Sequence, residues 1–179
     1  IENPSVELVS PVNPNLPMAW STGTLGNNQA TFQWQSTGVD GSKSLYITVR
    51  RYVSGEAKWM FDPVVVQPRA QYTYRGYYRS NVPTQLYAQY TTASGVVTNK
   101  LLKAVPLSTT RKQVSVTFTV PLNVTSLRVS HLIKRNGYLA TDNFSLTGKD
   151  TTPTPLPLTI SITSPLSGEV VSGSVLLTV

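Results

Sequence analysis

Two acidic residues open and close the strand-forming part of this chain. Near the start stands Asn3-Pro4-Ser5-Val6-Glu7-Leu8, and near residue 145 stands Thr141-Asp142-Asn143-Phe144-Ser145-Leu146. Each places one carboxylate in a strand-like run. First and last strands of a sandwich often lie side by side. If these do, Glu7 and Asp142 meet, and two hard oxygen ligands at one place suit Ca²⁺. The other possibility for the same residues is solvation, or pairing with a nearby Arg or Lys.

A second constellation lies in Tyr72 to Arg79. Alternation puts Tyr72, Tyr74, Gly76 and Tyr78 on one face, which reads as core, and Thr73, Arg75, Tyr77 and Arg79 on the other. The second set presents a flat ring flanked by cationic donors. The run from Gln85 repeats the theme, with Leu86, Ala88 and Tyr90 on one side and Gln85, Tyr87, Gln89 and Thr91 on the other. Sugars need this mixture: an aromatic plane for a C–H face, and amides or guanidinium groups for hydroxyls. Ordinary strand propensity is the competing explanation, because exposed Tyr and Thr stabilise sheets through cross-strand pairs.

Other chemistries have little to work with. There are no cysteines, hence no disulfides and no thiolate metal sites. His131 is the single histidine, which argues against a His-based triad or a multi-His metal site. In Leu127-Arg128-Val129-Ser130-His131-Leu132-Ile133 it alternates with Leu127 and Val129, the pattern of a satisfied, half-buried side chain. Eight acidic residues are present, and a glycosidase needs two of them across a cleft. The best pair by fold is Glu7 and Asp142, which calcium explains better; Glu56 and Asp62 have no partner pattern. No P-loop, nucleophile elbow or dinucleotide fingerprint is present. The chain is therefore expected to be non-catalytic. Trp20, Trp34 and Trp59 read as core, with Trp34 alternating with Phe32, and Trp59 and Phe61 beside Pro63 and a buried-looking Val64-Val65-Val66. Asn123-Val124-Thr125 and Asn143-Phe144-Ser145 match glycosylation acceptors, a triplet common by chance.

The elements that must position these residues are strands. Lys43 to Arg51, Gln71 to Arg79, Gln85 to Thr92, Gln113 to Val120, Ser126 to Ile133 and Ala140 to Thr147 each combine β-branched or aromatic residues with period-two alternation. Turn signals such as Val39-Asp40-Gly41, Asn81-Val82-Pro83 and Asn136-Gly137 separate them. No segment carries a helical stripe. The expected fold is all-β, a two-sheet antiparallel sandwich or jelly roll. The character changes at Gly148: residues 148–157 are rich in Thr and Pro and read as an extended linker, and residues 158–179 read as two strands and a turn. Two strands do not make a stable domain, so this end is the opening of a next domain or a strand-donating tail. Ile1 is not a natural start, which points to processing or to a longer parent chain. No run approaches the length of a transmembrane helix.

With fifteen Lys and Arg against eight Asp and Glu, the net charge is +7 and the pI ≈ 9.8. Such a surface favours acidic partners: anionic glycans, cell-wall polymers, nucleic acid or a membrane surface, of which nucleic acid is the least expected, since it needs the basic residues to converge on one groove with the aromatics. Equally, a modest charge serves solubility, and the basic residues are scattered in pairs such as Arg50-Arg51, Arg111-Lys112 and Lys134-Arg135.

Residues 1–147 resemble the carbohydrate-binding modules of the family 4, 9 and 22 type. The resemblance is carried by Asn3 to Glu7, Trp20, Gly41-Ser42-Lys43-Ser44-Leu45, Pro68 to Tyr77, and Asp142-Asn143-Phe144-Ser145-Leu146, in that order. It implies a jelly roll with a structural Ca²⁺ held by Glu7, Asp142 and loop carbonyls near Asp40 and Lys43. It also implies a sugar-stacking role for Tyr77 on a concave sheet. Tyr87 joins it from the residue pattern, with polar contacts from Arg75, Arg79, Gln85 and Gln89. The tail resembles the opening strands of a bacterial immunoglobulin-like domain. The function so implied is a secreted or cell-surface bacterial module that tethers a neighbouring enzyme or surface protein to a polysaccharide, with an acidic or acetamido-bearing glycan favoured by the arginines. The alternative is a structural subunit of a surface layer, fibre or adhesin whose tail strands pair with a neighbour.

Overall fold

The computed structural model describes residues 1–39 and 41–149. The tail expected at 158–179 and most of the expected linker lie outside the described residues. The described residues form eleven strands: β1 (Trp20–Leu25), β2 (Gln29–Gln35), β3 (Ser44–Arg50), β4 (Glu56–Phe61), β5 (Val64–Val65), β6 (Gln71–Ser80), β7 (Thr84–Thr92), β8 (Val97–Val105), β9 (Ser108–Thr119), β10 (Val124–Ile133) and β11 (Gly137–Lys149). They form two antiparallel sheets. One runs β1-β4-β10-β7-β8 with β5 attached to β10; the other runs β2-β3-β11-β6-β9. This is the all-β sandwich that the alternating pattern predicts.

The inner faces meet in one core. Leu45, Ile47 and Val49 of β3, Tyr74 and Tyr78 of β6, Leu86, Ala88 and Tyr90 of β7, and Leu127 and Val129 of β10 all bury at alternate positions. Trp20 packs edge-on against Phe61, at 5.6 Å and 72°, and lies 4.6 Å from Phe144; Phe32 meets Trp59 edge-on at 5.6 Å. Trp20 and Trp59 are buried and Trp34 is half-buried, in keeping with their expected core roles. Of the valines after Pro63 only Val66 is buried; Val65 is 86 % exposed, because β5 lies beside β10 as a two-residue edge.

The opening segment departs from expectation. Residues 1–19 are turns and bends with a single bridge between Val9 and Pro17, so Glu7 does not sit in a first strand beside the last. Asn3 and Val6 take φ of 49° and 55°, and the Val6 N–H donates to the Asn3 carbonyl at 3.1 Å, closing a tight turn. A β-branched residue in this region is strained, and several hydrogen bonds hold it there. The Trp20 indole N–H donates to the Asn3 carbonyl at 3.1 Å, that of Trp34 to the Val6 carbonyl at 2.8 Å, and the Phe144 N–H to the Pro4 carbonyl at 2.9 Å. The segment is thus pinned beside β11 by single bonds and no ladder.

Where it docks, β11 carries a bulge between Asp142 and Ser145 in its pairing with β6, and Asn143 has φ 49°. The extra residue inverts the parity of the strand. Leu139 and Thr141 point inward before it, and Phe144 and Leu146 after it. Gly76 on β6 accommodates Phe144: a Cβ there would lie 3.3 Å from the phenyl ring.

Candidate functional site

Glu7 and Asp142 each accept hydrogen bonds from the loop before β3. The Lys43 N–H donates to Glu7 Oε1 at 2.6 Å and the Ser42 hydroxyl to Oε2 at 3.0 Å. Four residues earlier in the same loop, the Val39 N–H donates to Asp142 Oδ2 at 2.5 Å, while the Asn143 N–H donates to Oδ1 at 2.7 Å. The Gly38 N–H closes the loop on the Ser42 carbonyl at 3.1 Å. Gly41 is required at its tip: its φ is +81°, and a Cβ would lie 2.6 Å from Glu7 Cδ. Asp142 is 2 % exposed and Glu7 half-buried. Burial by itself would raise the Glu7 pKa, but hydrogen bonds from Lys43 and Ser42 and the charge of Lys43 outweigh it and hold the carboxyl below its ordinary value. The backbone group of Lys43 that meets Glu7 is its N–H, where the resemblance implied a carbonyl; Asp40 lies outside the described residues. No cluster of three or more His, Cys, Asp or Glu occurs among the described residues.

The six expected sugar-contacting residues divide between two surfaces. Arg75, Tyr77 and Arg79 lie on β6 of the five-stranded sheet, whereas Gln85, Tyr87 and Gln89 lie on β7 of the other. Their partners Tyr74 and Tyr78, and Leu86, Ala88 and Tyr90, fill the core between the sheets. The two sets therefore face away from each other on opposite outer surfaces and do not form one binding face. Adjacent in sequence, β6 and β7 cross from one sheet to the other through the Asn81-Val82-Pro83 turn. On its own surface Tyr87 is capped by the Lys134 ammonium at 4.9 Å, and Lys134 and Lys58 both pair with Glu56, at 3.5 and 2.5 Å. The Gln89 amide donates to Asn99 Oδ1 at 3.3 Å. These are cross-strand and surface contacts of an ordinary sheet.

The outer face of the five-stranded sheet is built differently. The ladder aligns Gln33, Tyr46, Ala140 and Arg79 in one row across β2, β3, β11 and β6. The next row holds Thr31, Thr48 and Tyr138, and the one after it Gln29 and Arg50. Tyr46 and Tyr138 are thus diagonal neighbours, and their rings stack at 5.6 Å with 12° between planes. Sequence reasoning missed both. The available signals were the outward position of Tyr46 between core residues Leu45 and Ile47, and Tyr138 directly after the Asn136-Gly137 turn. Burial and then the neighbouring Tyr138 push the Tyr46 hydroxyl pKa up, while the charge of Arg79 works against them.

Beside the stacked pair lies a depression of ≈ 640 Å³ lined by Tyr46, Thr48, Val49, Arg50, Arg51, Asn81, Asn136, Gly137 and Tyr138. A second, of ≈ 410 Å³, is lined by Gln29, Thr31, Gln33, Thr48 and Arg50. The two adjoin at Thr48 and Arg50 and together form a trough over β2, β3 and β11, each depression of the size that ligand clefts have. Its rim is fixed by side-chain amides. Asn136 Oδ1 accepts from the Tyr52 N–H at 2.8 Å, and Asn81 Oδ1 from the Tyr138 N–H at 2.7 Å. Tyr77 stands on the same face, one row beyond Arg79. It borders a small recess of ≈ 10 Å³ with Val39, Arg111 and Asp142, next to the loop before β3 and off the trough. Neither depression has an Asp or Glu in its lining, so the two-carboxylate arrangement of glycoside hydrolysis is missing from this trough.

His131 is buried at 5 % exposure, its Nε2 2.7 Å from the Thr84 hydroxyl and its ring 5.3 Å from that of Tyr78. Burial depresses its pKa to about 3, so it is a neutral core residue.

No family model matches the sequence, and no curated protein matches it. Solved structures of the same shape are numerous. A CBM4 structure superposes with a TM-score of 0.55 at 15% identity, covering 83% of this chain and 99% of that one. The CBM22-1 xylan-binding domain of Paenibacillus barcinonensis Xyn10C gives 0.54 at 12% identity, over 80% and 89%. This is the fold of the carbohydrate-binding modules. The carbohydrate-binding-module fold also matches part of a phage protein. The enzymatically active domain of bacteriophage CBA120 tailspike protein 4 gives a TM-score of 0.63 at 13% identity over 83% of this chain, which spans only 21% of that chain. Among the described residues no helix is long and apolar enough to cross a membrane.

Proposed function

We propose that this chain is a non-catalytic carbohydrate-binding module, acting outside the cell, that tethers an attached enzyme or surface protein to a polysaccharide. The observation that carries this is the stacked Tyr46–Tyr138 pair opening into a trough lined with amides and hydroxyls. The rings supply apolar plates for the C–H faces of a sugar, and Gln29, Gln33, Asn81 and Asn136 supply donors and acceptors for its hydroxyls. The fold shared with carbohydrate-binding modules supports the same reading. An open trough of this kind recovers little beyond the desolvation of its polar groups, so affinity is modest. The test is retention on insoluble polysaccharides and a glycan array with the native chain, the Tyr46→Ala/Tyr138→Ala variant and Tyr87→Ala. Binding is expected to disappear in the first variant and persist in the second. Binding by a folded double variant equal to that of the native chain would overturn the assignment of the face.

The same reading includes a structural Ca²⁺ held by Glu7 and Asp142. Both carboxylates are hard oxygen donors, they meet the two ends of one five-residue turn, and Gly41 leaves the space over Glu7 that a Cβ would fill. The two carboxylates would supply the charged part of the donor set, and the ion would take its remaining oxygens from loop carbonyls and water. The protein's own part is to pin the opening segment and the loop before β3 to the closing strand. A rise in Tm on adding Ca²⁺ that chelator reverses, and that Glu7→Gln abolishes, is the supporting result.

A further inference from the structure

We infer that the polysaccharide taken by this face is a uronic-acid chain, recognised through its carboxylates by the arginines of the trough. This rests on the carbohydrate-binding reading of the Tyr46–Tyr138 face and names its ligand class. Arg50 and Arg51 line the larger depression and Arg50 the smaller, while Arg79 shares a row with Tyr46 and exerts its charge on that hydroxyl. No carboxylate lines either depression. Among the described residues both ion pairs converge on Glu56, which belongs to the other sheet, so Arg50, Arg51 and Arg79 have no ion-pair partner. Beyond Arg79 the same strand carries Arg75, exposed, four residues further along the same outer face.

A neutral glycan would be served by the amides alone. Guanidinium groups without counter-charge repel one another across a sheet, and that repulsion is relieved when an anion arrives. Arg matches the planar, bidentate geometry of a carboxylate, where a hydroxyl takes a single bond. The backbone that carries Arg51 is also fixed in advance. Arg51 is held at φ 48°, an uncommon conformation for a residue other than glycine, and the next residue is tied by its N–H to Asn136 at 2.8 Å. Arg50 and Tyr46 lie on one strand with Thr48 between them on the same side, so their Cα atoms stand about 13 Å apart along β3. A chain of uronate residues running over the tyrosines reaches guanidinium groups on both sides of the stacked pair.

The experiment compares one polymer in two charge states. Binding of the native chain to a uronic-acid homopolymer, to the same polymer methyl-esterified, to neutral xylan and to poly-glutamate is measured by affinity electrophoresis and calorimetry at two salt concentrations. The expected result is at least tenfold tighter binding to the free-acid polymer than to its ester, weaker binding at higher salt, and at least a tenfold loss in Arg50→Gln/Arg79→Gln. Equal binding to acid and ester, or poly-glutamate binding as tight as the uronate polymer, overturns the inference. Retention on xylan without retention on uronate also overturns it and leaves the carbohydrate-binding reading standing. Retention on none of the polysaccharides overturns both. The acid–ester comparison uses the native chain, so it stands even if the double variant misfolds.

Discussion

The buried histidine gives this domain an acid sensitivity whose size follows from its surroundings. In the folded protein His131 binds a proton only near pH 3, because burial penalises the charged ring. In the unfolded chain it does so at about 6.5. Between those values the unfolded state carries one more proton, so stability rises with pH there. The contribution is complete above the unfolded pKa and is lost progressively as pH falls from about 6.5 towards 3. One proton corresponds to ~1.4 kcal/mol per pH unit, so acidifying from pH 7 to pH 5 removes ~2 kcal/mol. For a domain of this size that amounts to roughly 4–8 °C in Tm. The assay is urea unfolding followed by tryptophan fluorescence at pH 5, 6 and 7, on the native chain and on His131→Gln, which keeps a neutral polar group near Thr84. The variant is expected to be less stable at pH 7 and to lose at most ~0.5 kcal/mol over the same range, since no other proton is exchanged at that site. Glu7 does not obscure the result. Its folded pKa is lowered, so its contribution is present above its ordinary pKa of 4.5 and is lost only as pH falls below that, outside the window. A slope in His131→Gln equal to that of the native chain, or a folded-state histidine titrating near pH 6.5 by NMR, would refute the reasoning.

Other perturbations test the loop, the bulge and the second sheet. Gly41→Ala combines a φ of +81° with a Cβ 2.6 Å from Glu7 Cδ, and is expected to lower stability by ~1–2 kcal/mol in thermal unfolding. In Gly76→Val the added methyls meet Phe144, already 3.3 Å from the position of a Cβ; a loss of ~1–3 kcal/mol in chemical denaturation is expected, and restoration by Phe144→Leu would trace it to that contact. Tyr87→Ala removes the ring beneath Lys134, with a stability change of ~0.5–1 kcal/mol and no change in polysaccharide retention.

How much was legible in the sequence differs from element to element. For Tyr72 to Arg79 and Gln85 to Thr92, alternation separated inward from outward side chains correctly, as the burial of Tyr74, Tyr78, Leu86 and Tyr90 shows. The same alternation at 45–49 places Tyr46 on the outward side, between the core residues Leu45 and Ile47. The closing strand could not be read by alternation throughout, because the extra residue between Asp142 and Ser145 inverts its parity. The expectation that adjacent first and last strands carry Glu7 and Asp142 does not hold: Glu7 lies in a turn held by two indole N–H groups, and one loop reaches both carboxylates.

The sequence by itself determined that this is a β-sandwich, where most of its described strands run, which side of β6 and of β7 faces the core, and that its one histidine and its tryptophans are largely structural. These are local matters: a strand's side chains alternate with period two whatever it pairs with. Only the tertiary structure decided which surface each outward side belongs to. Pairing places β6 and β7 in different sheets, which sends Tyr77 and Tyr87 to opposite surfaces, and brings β3 beside β11, which stacks Tyr46 on Tyr138. Strand order and register are set by how the two sheets close over a shared core, and that closure is a property of the whole chain.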